Sequence, residues 1–79
     1  MDEALRQLHL AAGLRCGEQY TCGNKVRYNT EKSANKAAMA MNKKPTTRNE
    51  LEPYPCPFCE KWHVGRRMSI KELERLAGK

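Results

Sequence analysis

The segment Tyr54-Pro-Cys-Pro-Phe-Cys-Glu-Lys-Trp-His-Val64 constrains this chain more than any other. Cys56 and Cys59 are separated by two residues, which places two thiols on one tight turn whose backbone can aim both sulfurs at a single ion and donate amides to them. His63 follows Cys59 with three residues intervening, a short reach that lets its imidazole return to the same ion from the outgoing strand.

A structural zinc site is closed by four ligands, so a further one has to come from elsewhere in the chain. Cys22 and Cys16 are the candidates, and they define two ligand sets. In the first, Cys22, Cys56, Cys59 and His63 supply three thiolates and one imidazole. In the second, Cys16, Cys22, Cys56 and Cys59 supply four thiolates and His63 is free. Spacing favours the first, because Cys16 and Cys22 have five residues between them, wider than the gap of a zinc knuckle. A Cys56/Cys59 redox pair would need a βαβ context that the sequence does not offer.

The rest of the composition explains why such a clasp is needed. The chain has 79 residues, of which Leu, Ile, Val and Phe together make up 11. A domain of this length buries only about 60–65% of its unfolded surface, and so few large apolar residues place a charged chain in the compositional range of disorder. Small domains meet that deficit with disulfides, a metal or a partner chain. Residues 1–15 are amphipathic and polar and do not resemble a secretory signal, and no stretch approaches the ~18 apolar residues of a membrane span. The expected compartment is the reducing cytoplasm, where clustered cysteines serve as metal ligands.

The expected fold class is a small α+β zinc-stabilised domain, with residues 1–79 as a single unit: an N-terminal helical extension over 1–15, a zinc-binding core over 16–67 and a C-terminal helix over 68–79. Asp2 is suited to cap a helix running to about Ala12, with Leu5, Leu8 and Ala12 as a narrow apolar stripe and Gly13 as its stop. Between Gly17 and Tyr28 a turn is expected to lead into a short strand. Thr30 caps a second helix on which Ala34, Ala37, Ala38 and Met41 recur at helical spacing. Lys43 to Pro53 reads as a surface loop and Tyr54 to Val64 as a hairpin. Ser69-Ile-Lys-Glu72 has capping-box spacing for a third helix, with Ile70, Leu73 and Leu76 as its apolar stripe and Gly78 as its close. Tyr20, Tyr28 and Tyr54 are expected to be half-buried, Trp62 to be buried around the metal, Phe58 to be partly exposed, and His9 to be a solvated or packing residue.

Cys22-Gly-Asn-Lys-Val-Arg-Tyr28, an Ala-rich helix, and then Tyr54-x-Cys-x-x-Cys-x-x-Trp-His63 together resemble the small zinc-finger-like proteins common in actinobacteria and their bacteriophages. The resemblance covers roughly residues 22–67. It implies Cys22, Cys56, Cys59 and His63 as ligands and Trp62 as core, and it leaves Cys16 without a role. The hairpin is also similar to the first half of a two-Cys, two-His finger, but no histidine pair follows on a helix, so the base-reading mode of those fingers does not transfer.

The formal net charge of +6 falls mostly on the part of the chain that holds the ligands, since residues 1–22 sum to −1, 23–52 to +4 and 53–79 to +3. An anionic partner is expected, nucleic acid first and DNA before RNA, contacted by Lys25, Arg27, Lys32, Lys36, Lys43, Lys44, Arg48, Lys61, Arg66 and Arg67. Charge kept for solubility is the competing explanation. The alternative function is a protein-interaction adaptor, such as a phage-encoded modulator of a host protein, docking through the stripes on the terminal helices. Catalysis is not expected, because four ligands leave zinc no open position and Glu60 has no partner that would make it a general base.

Overall fold

The computed structural model describes residues 1–44 and 50–78. In chain order the elements are α1 (Glu3–Cys16), α2 (Glu18–Thr21), α3 (Glu31–Asn42), β1 (Leu51–Pro55), β2 (Trp62–Arg66) and α4 (Ile70–Leu76). Helices α1 and α3 pack on one two-stranded antiparallel hairpin, which makes this a small α+β fold.

Asp2 has extended backbone and its carboxylate accepts from the Leu5 amide at 2.9 Å, as a helix N-cap should. The helix does not stop at Gly13. It runs on to Cys16 and ends at Gly17, whose φ of +95° is in the region that favours glycine. Gly13 is a glycine for a different reason: a Cβ there would lie 3.1 Å from Pro57 Cδ and 3.2 Å from Thr21 Cγ2. Its carbonyl also accepts from the Gly17 amide and the Thr21 hydroxyl, both at 3.1 Å, so α1, α2 and the cysteine turn converge on this one residue.

The stretch after Gly17 forms α2, a single helical turn, where a turn leading into a strand was expected. The strand itself reduces to one bridge, in which Tyr28 and Trp62 exchange two backbone hydrogen bonds at 2.8 Å. In α3, Thr30 accepts from the Ser33 amide at 3.1 Å, and Ala34 and Ala38 are fully buried against the hairpin, on which the helix packs through both strands. Small side chains on that face permit the close approach.

Part of the expected Lys43–Pro53 loop is strand. Leu51, Glu52 and Pro53 belong to β1, and the register pairs Leu51 with Arg66, Pro53 with Val64, Tyr54 with His63 and Pro55 with Trp62. Proline is tolerated because each strand of a two-stranded sheet is an edge. Asn42 closes the excursion from α3, donating to the Leu51 carbonyl at 3.0 Å and accepting from its amide at 2.8 Å. Residues 45–49, including Arg48, lie outside the described residues.

Ser69 caps α4 by accepting from the Glu72 amide at 3.2 Å. The reciprocal half of the capping box is not made, because the Glu72 carboxylate is held by Arg66 instead. Ile70 is 61% exposed, so the stripe of α4 is carried by Leu73 and Leu76, with Met68 packed beside them. These residues meet Leu5, Leu8 and Ala12 of α1 to form the hydrophobic core. The N-terminal helix is therefore part of that core, and the apolar stripes of the two terminal helices cover each other except at Ile70.

Candidate metal centre

The turn between β1 and β2 is built to present its sulfurs. The Cys56 amide donates to the Lys61 carbonyl at 2.8 Å and closes the loop, while the Phe58 amide donates to Cys56 Sγ at 3.4 Å. Glu60 takes φ +60°, the only positive φ of a non-glycine residue among the described residues. This left-handed step turns the chain from Cys59 back into β2, at a conformational cost of about 1–2 kcal/mol for a residue with a Cβ.

His63 is fully buried on β2, directly across from Tyr54. Its Nδ1 lies 2.6 Å from the Val26 carbonyl, so Nδ1–H donates there and Nε2 is left to bind metal. Nε2 sits 3.5 Å from Cys59 Sγ. Cys22 arrives from the end of α2, buried, with its amide donating to the Glu18 carbonyl at 2.8 Å. The ligand atoms of Cys22, Cys56, Cys59 and His63 all lie within 4.8 Å of one another. Tetrahedral zinc, with bonds of about 2.3 Å to sulfur and 2.0–2.1 Å to nitrogen, spaces its ligand atoms about 3.5–3.8 Å apart. The Cys59–His63 edge already has that length, and three thiols with one imidazole are a zinc donor set.

The four residues form a single zinc site, and the first of the two ligand sets is the one brought together. Cys16 stays outside it as a free, half-buried thiol. The site also fits the chemistry of its surroundings. Without metal, burial pushes the Cys22 thiol up to about 11, and the adjacent Cys56 and Cys59 push the same way. At Cys59 burial again favours the thiol, but the Lys61 backbone amide, hydrogen bonds from Cys56 and Cys22 and the charge of Arg27 outweigh it and hold the group below its ordinary value. Arg27 reaches toward the site from the outside, its Nη2 3.8 Å from Cys22 Sγ.

Tyr54 braces the arrangement. Its hydroxyl donates to the Thr21 carbonyl at 2.7 Å, next to ligand Cys22, and its ring lies 5.7 Å from that of His63. Burial, with the neighbouring thiols, raises its pKa and keeps the phenol protonated as a donor. Two supports had no sequence signal: the Val26 carbonyl, since any residue has one, and Tyr54 as a brace, since its partner is a backbone atom 33 positions away.

The other expectations divide. Tyr28 and Tyr54 are half-buried and Phe58 is partly exposed, as expected, Trp62 is only half-buried where burial around the metal was expected, and Tyr20 is 68% exposed where half-burial was expected. His9 is a buried packing residue. Of the candidate basic residues, Arg66 is held by Glu72 at 2.6 and 3.3 Å, and Arg67 pairs with Glu50 at 3.0 Å and lies 4.0 Å from Glu52. Their charge is therefore locally balanced. Lys25, Arg27, Lys32, Lys36, Lys43, Lys44 and Lys61 are exposed and have no acidic partner among the described residues. No helix among these residues is long and apolar enough to cross a membrane. No protein-family model, curated protein or solved structure matches the chain.

Proposed function

We propose that this zinc-clasped domain binds nucleic acid, DNA before RNA, in a regulatory role. The observation that carries the reading is the outer spine of α3. Ala34 and Ala38 define the buried face of that helix, and at 100° per residue Lys32, Lys36 and Lys43 fall on the opposite side, four and seven positions apart. They make a ridge of positive charge, continued by Lys44, and Glu31, the one acidic residue of the helix, falls nearer the buried side. Such a ridge neutralises phosphates without reading bases.

Four protein ligands fill a tetrahedral shell, so the zinc is read as structural and the chain as a binding protein with no catalytic step. The resemblance to zinc-finger-like proteins of actinobacteria and bacteriophages is compatible with this reading and adds no activity to it. The adaptor alternative is weakened, because the terminal stripes that suggested it, all except Ile70, are spent on the internal core.

The test is fluorescence anisotropy with labelled nucleic acid across a salt series. Wild type is expected to lose about 10²–10³-fold in affinity between about 50 and 200 mM salt if some four to five phosphates are contacted. Lys32→Glu/Lys36→Glu is expected to weaken binding and flatten the slope by about 2. Absence of binding at low salt, or a slope near zero, would refute the reading.

A further inference from the structure

An open cleft of about 80 Å³ lies between α1, α2, α4 and the hairpin, bordering the zinc site at Thr21 and Tyr54 and apart from the spine of α3. Its floor is apolar, built by Ala12, Leu73 and Leu76. Its mouth holds the most exposed aromatic ring of the chain, Tyr20, beside Lys25. Lys25 Nζ lies 5.7 Å from the Tyr20 ring centroid and 5.6 Å from that of Tyr54, and it donates to the Tyr54 hydroxyl at 3.2 Å. A cation is thus fixed between two tyrosine rings at the entrance to an apolar slot, with no carboxylate to neutralise it among the described residues. Arg66 also lines the cleft, but Glu72 satisfies its charge. His9, in the wall, is held neutral near physiological pH because burial lowers its pKa against the opposing pull of Glu52.

A ligand that satisfies this arrangement carries a planar apolar surface for Tyr20 and the slot, and an anion for Lys25 within one residue's reach. An unpaired nucleotide has both, whereas in a duplex the base faces are covered by their neighbours. Tyr20 is 68% exposed, so its ring is open to a stacking base, and the ammonium of Lys25 lies over it. We infer that the Tyr20–Lys25 cleft is a stacking site for one unpaired base of a single-stranded nucleic acid, with the adjoining phosphate on Lys25. This rests on the nucleic-acid reading above and narrows it from backbone contact to the strand state of the ligand.

The experiment compares zinc-loaded wild type, Tyr20→Ala, Tyr20→Phe and Lys25→Ala on labelled dT and rU oligomers of about ten nucleotides and on a blunt duplex, at low salt. Stacking on one base corresponds to roughly a 5- to 150-fold loss of single-strand affinity in Tyr20→Ala, with duplex affinity unchanged and Tyr20→Phe close to wild type. Lys25→Ala is expected to weaken single-strand binding as well. Cys16 lines the same cleft as a free thiol, so its alkylation by a maleimide should slow when the oligomer is bound. Preference for dT or rU then names the polymer. Equal losses on single strand and duplex, or unchanged single-strand binding in Tyr20→Ala, would overturn the inference while leaving the broader reading standing. No binding of wild type to any of the three would remove both.

Discussion

At the scale of single residues, the site turns on which side chains are ligands and which merely lie near. Cys22→Ser and His63→Ala each remove an atom from the group of four, whereas Cys16→Ser removes none. Native mass spectrometry is therefore expected to find one zinc retained in Cys16→Ser and lost or strongly weakened in the other two. His9 makes a second residue-scale prediction. Burial lowers its pKa from the ordinary 6.5, opposed by Glu52, whose carboxylate lies 4.0 Å from Nε2 and also accepts from the Met68 amide at 3.2 Å. Above pH 6.5 both folded and unfolded states hold the neutral ring and its contribution is complete. As pH falls below 6.5 toward the lowered folded value, the unfolded state takes up the proton first and stability is lost. Thermal melts of zinc-loaded wild type and His9→Gln, between pH 7.5 and 5.5, should show the steeper decline in wild type. Acid loss of zinc affects both equally.

At the scale of elements, Gly13 links α1 to the cysteine turn. Replacing it with alanine raises helix propensity by about 1 kcal/mol, but the new methyl meets Pro57 at 3.1 Å and Thr21 at 3.2 Å. Overpacking of that kind costs about 1–3 kcal/mol. Gly13→Ala is accordingly expected to be neutral to about 2 kcal/mol less stable in urea unfolding, and to weaken zinc binding because Pro57 lies between Cys56 and Cys59. Local signals were readable for α3 and α4, where Thr30 and Ser69 cap the helices where the sequence places them. They misread α1 because Gly13 serves tertiary approach, and they misread Leu51–Pro53 because a proline-containing strand is recognisable only beside the partner that orders it. Likewise Glu72 had capping-box spacing, and Arg66 was the stronger partner.

At the scale of the whole molecule, few residues hold the fold together by burial. Leu8, Ala12 and Leu73 are the buried members of the hydrophobic cluster, and a fully buried leucine contributes about 1.5–3 kcal/mol. A structural zinc in a small domain contributes about 10–16 kcal/mol at neutral pH, so the metal term exceeds that of the core. Chelation is expected to collapse the circular-dichroism signal cooperatively and zinc to restore it. Because the Cys22 thiol has been pushed up to about 11 by burial, zinc must displace its proton at neutral pH. Zinc affinity should therefore rise with pH. Calorimetry in buffers of different ionisation enthalpy should register the released protons.

By itself the sequence determined the parts of this protein that local spacing controls: the Cys56–Cys59 turn, a His63 within short reach of it, the capped Ala-rich helix, and a core poor in large apolar residues. Those follow from contacts a few residues apart. Only the tertiary structure decided that His63 and not Cys16 joins Cys22, Cys56 and Cys59, that α1 belongs to the core, that Arg66 and Arg67 are balanced by carboxylates, and that Lys25 stands between Tyr20 and Tyr54. Each of these depends on which distant segments meet, and no local pattern encodes that.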